Sequence, residues 1–133
     1  MGTFKKVLFI DDDIITITIY QRTMRVSDFC DEVVACSNGQ QAKDYLLENV
    51  NALPDVIFLD INMHVMTGWE FLKWFEKWAV ALNIDVPVYV LSSSLSLEDA
   101  DKSKKCKLVR GYITKPITIE HLRIISKTNF FST

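Results

Sequence analysis

The sequence predicts an α/β domain built on a parallel sheet, and two observations carry that prediction. First, four short apolar runs each end in polar residues. Val7-Leu8-Phe9-Ile10 ends in Asp11-Asp12-Asp13, and Val56-Ile57-Phe58-Leu59 ends in Asp60. Val88-Tyr89-Val90-Leu91 ends in Ser92-Ser93-Ser94, and Gly111-Tyr112-Ile113-Thr114 ends in Lys115-Pro116. Runs bounded in this way read as strands buried on both faces. Second, strand-like and helix-like segments alternate five times along the chain. That alternation is the pattern of βα units sharing one sheet with helices on both sides.

The elements follow in order. The first strand is expected at about Lys5 to Ile10, and the first helix at Ile14 to Arg25 with Asp13 as N-cap. Ile15, Ile17 and Ile19 alternate with Thr16 and Thr18, which is a strand pattern. The helical face of Ile14, Ile17, Gln21 and Met24 is mediocre. A helix is still predicted, because parallel strands need a crossover there. The second strand covers Glu32 to Cys36. The second helix covers Gly39 to Asn49, capped by Asn38, with Ala42, Tyr45 and Leu46 facing the sheet. Pro54 opens the third strand, which ends at Asp60. A loop containing Gly68 leads into a helix over Trp69 to Leu82, where Phe71, Leu72, Phe75, Ala79 and Leu82 fit the helical period. Pro87 opens the fourth strand. Ser96 with Asp99 resembles a capping box for a short polar helix. The fifth strand covers Leu108 to Thr114, and a last helix runs from Ile119 to Lys127.

Right-handed crossovers restrict such a chain to a few doubly wound orders. The flavodoxin-like order 2-1-3-4-5, for a five-stranded parallel sheet, is the one expected. It sets strands one and three side by side at the switch point, outside whose carboxyl ends ligands bind. Asp11, Asp12 and Asp60 would then meet at one rim, with Ser92 and Lys115 beside them.

Composition narrows the function. The chain has 133 residues, one domain's worth, and residues 1–133 are read as a single domain with no room for an output module. Apolar residues are 49% of the chain, which excludes disorder. The net charge is −2 with no basic block, so a nucleic-acid partner is not expected. Cys30, Cys36 and Cys106 lack metal-site spacing and are odd in number, so they read as small apolar residues in a reducing compartment. The N-terminal apolar run is too short for a signal peptide, and no stretch is long enough to span a bilayer. A soluble cytoplasmic protein without a membrane partner is expected.

The rim residues have a chemistry of their own. Several clustered carboxylates raise each other's pKa unless a cation compensates them. Mg²⁺ takes oxygen ligands and commonly bridges one or two carboxylates to a phosphate. Asp60 stands alone at its strand end and is the nucleophile candidate, since a carboxylate can accept a phosphoryl group. Lys115 would neutralise charge on the transferring group, and Ser92 would donate a hydrogen bond to it.

These motifs together resemble the receiver domain of two-component response regulators, in its single-domain, chemotaxis-regulator-like form. The resemblance is carried by Phe9-Ile10-Asp11-Asp12-Asp13, Leu59-Asp60-Ile61-Asn62-Met63, Gly68, Pro87-Val88-Tyr89-Val90-Leu91-Ser92 and Tyr112-Ile113-Thr114-Lys115-Pro116. It spans essentially the whole chain. The resemblance implies that Asp60 is the phosphoacceptor. It implies that Asp12 is a direct Mg²⁺ ligand, that Asp11 acts mostly through water, and that Asn62 offers its backbone carbonyl. Ser92 matches the switch hydroxyl, Ser93 the small residue beside it, and Lys115 the lysine that pairs with the phosphoryl group. Tyr112 matches the switch aromatic, which in the family turns inward when the hydroxyl moves to the phosphate. The implied donor is a sensor histidine kinase or a histidine phosphotransfer protein. The implied output is a protein target that reads the face of the fourth helix, fifth strand and fifth helix.

Two positions depart from the family pattern. His64 stands where proline is common, and Thr67 where aspartate precedes the glycine. The loop gains an N–H and a free φ angle, so it is expected to be more mobile. Other polar residues read more simply. Asp13 is a cap, Ser94 and Ser96 are loop and cap residues, and His64 and His121 face solvent. Lys102, Lys104, Lys105 and Lys107 form a solvated basic stretch. Trp69, Trp74 and Trp78 crowd one helix, and at least one is expected at the surface, where it would suggest a partner site.

The expected function is a phosphorylation-driven switch rather than an enzyme. Two alternatives stand beside it. One is a receiver-like docking module that is never phosphorylated. The other is a phosphohydrolase of the haloacid-dehalogenase type, which would place its nucleophile within Asp11-Asp12-Asp13 and need an acidic pair after the lysine. Only Glu120 follows Lys115.

Overall fold

The computed structural model describes residues 4–63, 65–93 and 97–128. Five parallel strands form one sheet: β1 (Phe4–Ile10), β2 (Cys30–Cys36), β3 (Val56–Asp60), β4 (Val88–Ser92) and β5 (Val109–Thr114). Their order is β2-β1-β3-β4-β5, the order expected. The crossovers are α1 (Ile14–Val26), α2 (Gly39–Glu48), α3 (Gly68–Leu82) and α4 (Leu97–Lys104), and α5 (Ile119–Thr128) closes the chain.

Strand period two divides the core. Val7, Phe9, Val56, Phe58, Tyr89, Leu91 and Ile113 turn to the face covered by α1 and α5, where they meet Ile17, Tyr20, Met24, Leu122 and Ile125. Leu8, Ile10, Ile57, Leu59, Val88, Val90 and Tyr112 turn to the other face, against Ala42 and Leu46 of α2 and Phe71, Leu72, Phe75 and Ala79 of α3. Burying each large apolar side chain stabilises by about 1.5–3 kcal/mol. The stretches of strand buried on both faces have no room for charged side chains, which is why Asp11, Asp60, Ser92 and Lys115 collect at the carboxyl ends.

Several local expectations are corrected. Ile14 does not face the sheet; it is 76% exposed, and Tyr20 takes the core position instead. A purely local reading of α1 missed this, because the Tyr20 hydroxyl accepts from a distant partner, the backbone N–H of Ile117, at 3.3 Å. Leu82 is 49% exposed in the last turn of α3, which Asn83 ends in a left-handed conformation. None of the three tryptophans is fully exposed. Trp74 and Trp78 stack at 5.2 Å, Lys43 lies over Trp74, and Trp69 packs at the other flank of α3. Asp13 caps α1 as expected, accepting from the N–H groups of Ile15 and Thr16, and Asn38 caps α2 by accepting from Gln41. His121 is not simply a surface residue. Its Nδ1 accepts from Thr118 N–H while its own N–H donates to the Thr118 hydroxyl, a reciprocal cap for α5. The expectations for His64, Ser94 and Ser96 fall outside the described residues.

Candidate functional site

Register alone brings the candidate residues together. Ile10 lies opposite Leu59, so Asp11 and Asp60 leave β1 and β3 side by side. Asp60 lies opposite Leu91, which puts Ser92 one step further along the rim, and Ser92 lies opposite Thr114 of β5. Backbone bonds extend the sheet into the loops. Asp11 N–H donates to Cys36 carbonyl at 3.1 Å, and Ile61 N–H to Leu91 carbonyl at 3.2 Å. Lys115 N–H donates to Ser92 carbonyl at 2.7 Å.

Asp11, Asp60 and Ser92 are buried, whereas Asp12 is exposed at the mouth. Lys115 reaches across with its Nζ 2.9 Å from Asp11 Oδ2 and 3.5 Å from Asp60 Oδ2. The other oxygen of each buried carboxylate is held by the backbone two residues on. Asp11 Oδ1 accepts from Asp13 N–H at 2.9 Å, and Asp60 Oδ1 accepts from Asn62 N–H at 3.1 Å. This is the Asx-turn geometry that short acidic side chains favour. Asn62 is therefore tied to the acceptor by its N–H, and its side chain is exposed.

Electrostatics separates the groups. Burial pushes the Asp60 carboxyl up to about 6; the Asn62 N–H and Lys115 oppose the rise, and the Asp11 charge adds to it. For Lys115, burial lowers the pKa, but the bond to Asp11 and the charges of Asp60 and Asp11 outweigh it and leave the ammonium above its ordinary range. Two buried carboxylates thus share one ammonium. Asp11, Asp12 and Asp60 each offer an oxygen within 4.8 Å of the others. Oxygens facing each other across an octahedral Mg²⁺ lie about 4 Å apart. The donor set is all-oxygen, acidic and under-compensated, and it fits a hard divalent cation held by some carboxylates directly and others through water.

Gly68 bears on the acceptor in a way its loop position only hinted at. Its N–H donates to Ile61 carbonyl at 3.2 Å. A Cβ there would lie 2.5 Å from Ile61 Cα and 2.7 Å from Asp60 carbonyl oxygen. Both are backbone atoms, so only glycine lets α3 begin this close to the acceptor's strand end. The capping box beside it went unnoticed in the sequence. Thr67 accepts from Glu70 N–H, and Glu70 accepts from Thr67 N–H. The signal was legible as Thr67-Gly68-Trp69-Glu70. The Thr67 hydroxyl thus caps α3 at the position where the family pattern has aspartate. Tyr112 is buried in the cluster under α3, and Ser93 is exposed.

The sequence matches the response regulator receiver domain family over residues 7–127. The chain is a response regulator receiver domain. Transcriptional regulatory protein PrrA of Mycobacterium bovis is 33% identical over 120 residues, which cover 90% of this chain and 47% of PrrA. The chain thus spans about half the length of that curated relative. A two-component response regulator from Cytophaga hutchinsonii superposes with a TM-score of 0.87 at 30% identity, covering 93% of this chain and 95% of the other. Chemotaxis protein CheY4 of Vibrio cholerae gives 0.74 at 29% identity, covering 92% and 96%. Receiver domains are signalling modules of two-component systems that bind Mg²⁺ at an acidic pocket, and this receiver carries its acidic cluster in Asp11, Asp12 and Asp60. No helix among the described residues is long and apolar enough to cross a membrane.

Proposed function

We propose that this receiver accepts a phosphoryl group on Asp60 and passes the signal on through a protein contact. The observation that carries the reading is the placement of Asp60: buried, paired across the rim with Lys115, and clustered with Asp11 and Asp12. In the reaction, a carboxylate oxygen of Asp60 forms a bond to phosphorus as the phosphorus–nitrogen bond of a phosphohistidine breaks. The donor imidazole leaves with the electron pair. Asn62 N–H holds Oδ1 and so fixes the carboxylate plane. Lys115 is close enough to Oδ2 to neutralise charge on the incoming group. Asp11, Asp12, Asp60 and the Asn62 backbone carbonyl would hold Mg²⁺, which when bound offsets the charge of the carboxylates and of the phosphoryl oxygens.

Ser92, one register step beyond Asp60, is the group we assign to a hydrogen bond with the phosphoryl oxygens. Movement of Ser92 would act on β4, α4 and Tyr112, and so bias one of two conformations. The buried ring of Tyr112 supports its assignment as the switch aromatic. The donor is a histidine kinase or phosphotransfer protein. The exposed Ile14, Ile15 and Ile19, beside Asp12 at the start of α1, supply an apolar surface for it. A phosphohydrolase reading would place its nucleophile within Asp11-Asp12-Asp13 and need an acidic pair after Lys115, where only Glu120 follows; Asp13 is besides committed to capping α1. Its oxygens are occupied by Ile15 N–H, Thr16 N–H and the Thr16 hydroxyl.

Intact-mass spectrometry after incubation with acetyl phosphate tests the reading. A single phosphoryl adduct is expected on wild type with Mg²⁺. It should be absent with chelator and absent from Asp60→Asn. An adduct of equal yield on Asp60→Asn would refute the assignment. Absence from wild type even with a phosphohistidine donor would leave the docking-module reading in its place.

A further inference from the structure

We infer that the groove between α3 and the end of α4 is a docking site for an acidic protein segment carrying one bulky apolar anchor. The groove has a volume of about 300 Å³ and opens to solvent. Its floor is apolar, made by Trp69, Leu72 and Cys106. Leu72 and Cys106 are buried, and Trp69 is half-buried. Its rim is cationic: Lys73, Lys102 and Lys105 line it, and all three are exposed. Lys102 Nζ sits 5.6 Å from the Trp69 ring centre, which holds one ammonium at the edge of the aromatic floor. Lys73 and Lys105 form no ion pair with any described residue. Glu76 is the one acidic residue of the lining, against three lysines.

An apolar floor ringed by exposed ammonium groups favours one kind of occupant. A basic or neutral segment would leave the lysines uncompensated or opposed. A segment with Asp or Glu flanking a Leu, Phe or Trp would satisfy both surfaces at once, with charge guiding approach and the anchor filling the floor. The volume suits one large side chain rather than a cofactor. Both walls of the groove lead from the candidate site. α3 starts at Gly68, hydrogen-bonded to Ile61 next to Asp60, and α4 starts at Leu97, five positions after Ser92.

The test is a selection of displayed random dodecapeptides on the wild-type protein, counter-selected on a Lys73→Glu/Lys102→Glu/Lys105→Glu variant. These substitutions lie on exposed positions, and circular dichroism will verify that the variant is folded. Enriched peptides should combine acidic residues with one bulky apolar residue. They should bind wild type at least roughly tenfold more tightly than the variant, and weaken as salt rises. The indole N–H resonance of Trp69, assigned with Trp69→Phe, should shift on binding. Neutral or basic consensus peptides, or affinity indifferent to the charge reversal, would overturn the proposal, as would no enrichment at all. Sedimentation velocity on the free protein covers the competing occupant: self-association lost in the triple variant would assign the groove to a second copy of the chain. All arms run without phosphodonor and are repeated on Asp60→Asn, so their outcome is independent of whether Asp60 is phosphorylated.

Discussion

Lys115 Nζ lies 2.9 Å from Asp11 Oδ2 but 3.5 Å from Asp60 Oδ2, so the ammonium sits closer to the partner carboxylate than to the acceptor. The two residues of the tighter pair are 104 positions apart in sequence, and the pair bridges β1 and the end of β5. It is also the principal compensation for two buried negative charges. Removing one member of a buried ion pair leaves the other uncompensated, which is more costly than the pair's net worth. Lys115→Met should therefore destabilise the metal-free protein by about 1–3 kcal/mol, discounted for the partial exposure of the lysine. Mg²⁺ should recover most of that loss by compensating the carboxylates in its place. Urea unfolding with EDTA and with saturating Mg²⁺ measures both. Equal stability of the two proteins in EDTA would mean that the carboxylates find compensation elsewhere.

Asp60→Asn should do the opposite. The carboxyl is raised to about 6 in the fold, chiefly by burial, whereas an unfolded aspartate titrates near about 3.9. A raised acid pKa means that the fold disfavours the charged form. The penalty is absent below the unfolded value, grows as pH rises between the two values, and is complete above the folded one. Asp60→Asn should thus be more stable than wild type at pH 7 in EDTA, by about 1–3 kcal/mol. The gap should close as pH falls toward 4. Unfolding midpoints across that range give the curve; a gap that is constant with pH would remove Asp60 as its cause.

Gly68→Ala should perturb the acceptor directly. The new methyl would meet Ile61 Cα at 2.5 Å and Asp60 carbonyl oxygen at 2.7 Å, and neither backbone atom can rotate away. Overpacking of this kind typically costs about 1–3 kcal/mol. The start of α3 must shift relative to the end of β3, so phosphoryl labelling of Asp60 should slow as well. By contrast, Gly39→Ala meets only the flexible Met66 side chain and should leave labelling unchanged. Labelling rates of the two variants, measured side by side, decide the matter.

Tyr89 carries a polar group where the fold has no use for one. Its ring is buried in the α1/α5 core and stacks on Phe58 at 5.6 Å, while its hydroxyl has no hydrogen-bond partner among the described residues. Burial alone pushes its pKa up to about 12, with Arg110 opposing. Tyr89→Phe removes the stranded hydroxyl and keeps the ring. It should leave stability unchanged or raise it by up to about 1 kcal/mol. A loss greater than that in urea unfolding would show that the hydroxyl is satisfied in solution.

The sheet was legible because burial on both faces forces continuous apolar strands, and that pattern is local. The handedness of crossovers narrowed the strand order to a few doubly wound arrangements, of which 2-1-3-4-5 was the one expected and the one found. The placement of Asp11, Asp60, Ser92 and Lys115 was legible for the same reason, since each is the first polar residue after a strand whose register the core fixes. The cap by Asp13 could be read within one turn, as could the Thr67–Glu70 box, though the box went unread. Helix α1 was harder, because its two flanks are nearly equal in hydrophobicity. Ile14 and Tyr20 could not be sorted without knowing that Tyr20 meets Ile117 from across the fold.

The sequence by itself determined the alternation of elements and the residues at the carboxyl rim of the sheet, because apolar periodicity acts over neighbouring residues, and crossover handedness narrowed the strand order to a few. Only the tertiary structure decided which carboxylate Lys115 approaches most closely, why position 68 excludes a side chain, and that lysines from α3 and α4 ring one apolar groove. Those outcomes are distances between segments far apart in sequence. They arise when packing of the whole domain, and no local preference, fixes how closely two backbones or two charges approach.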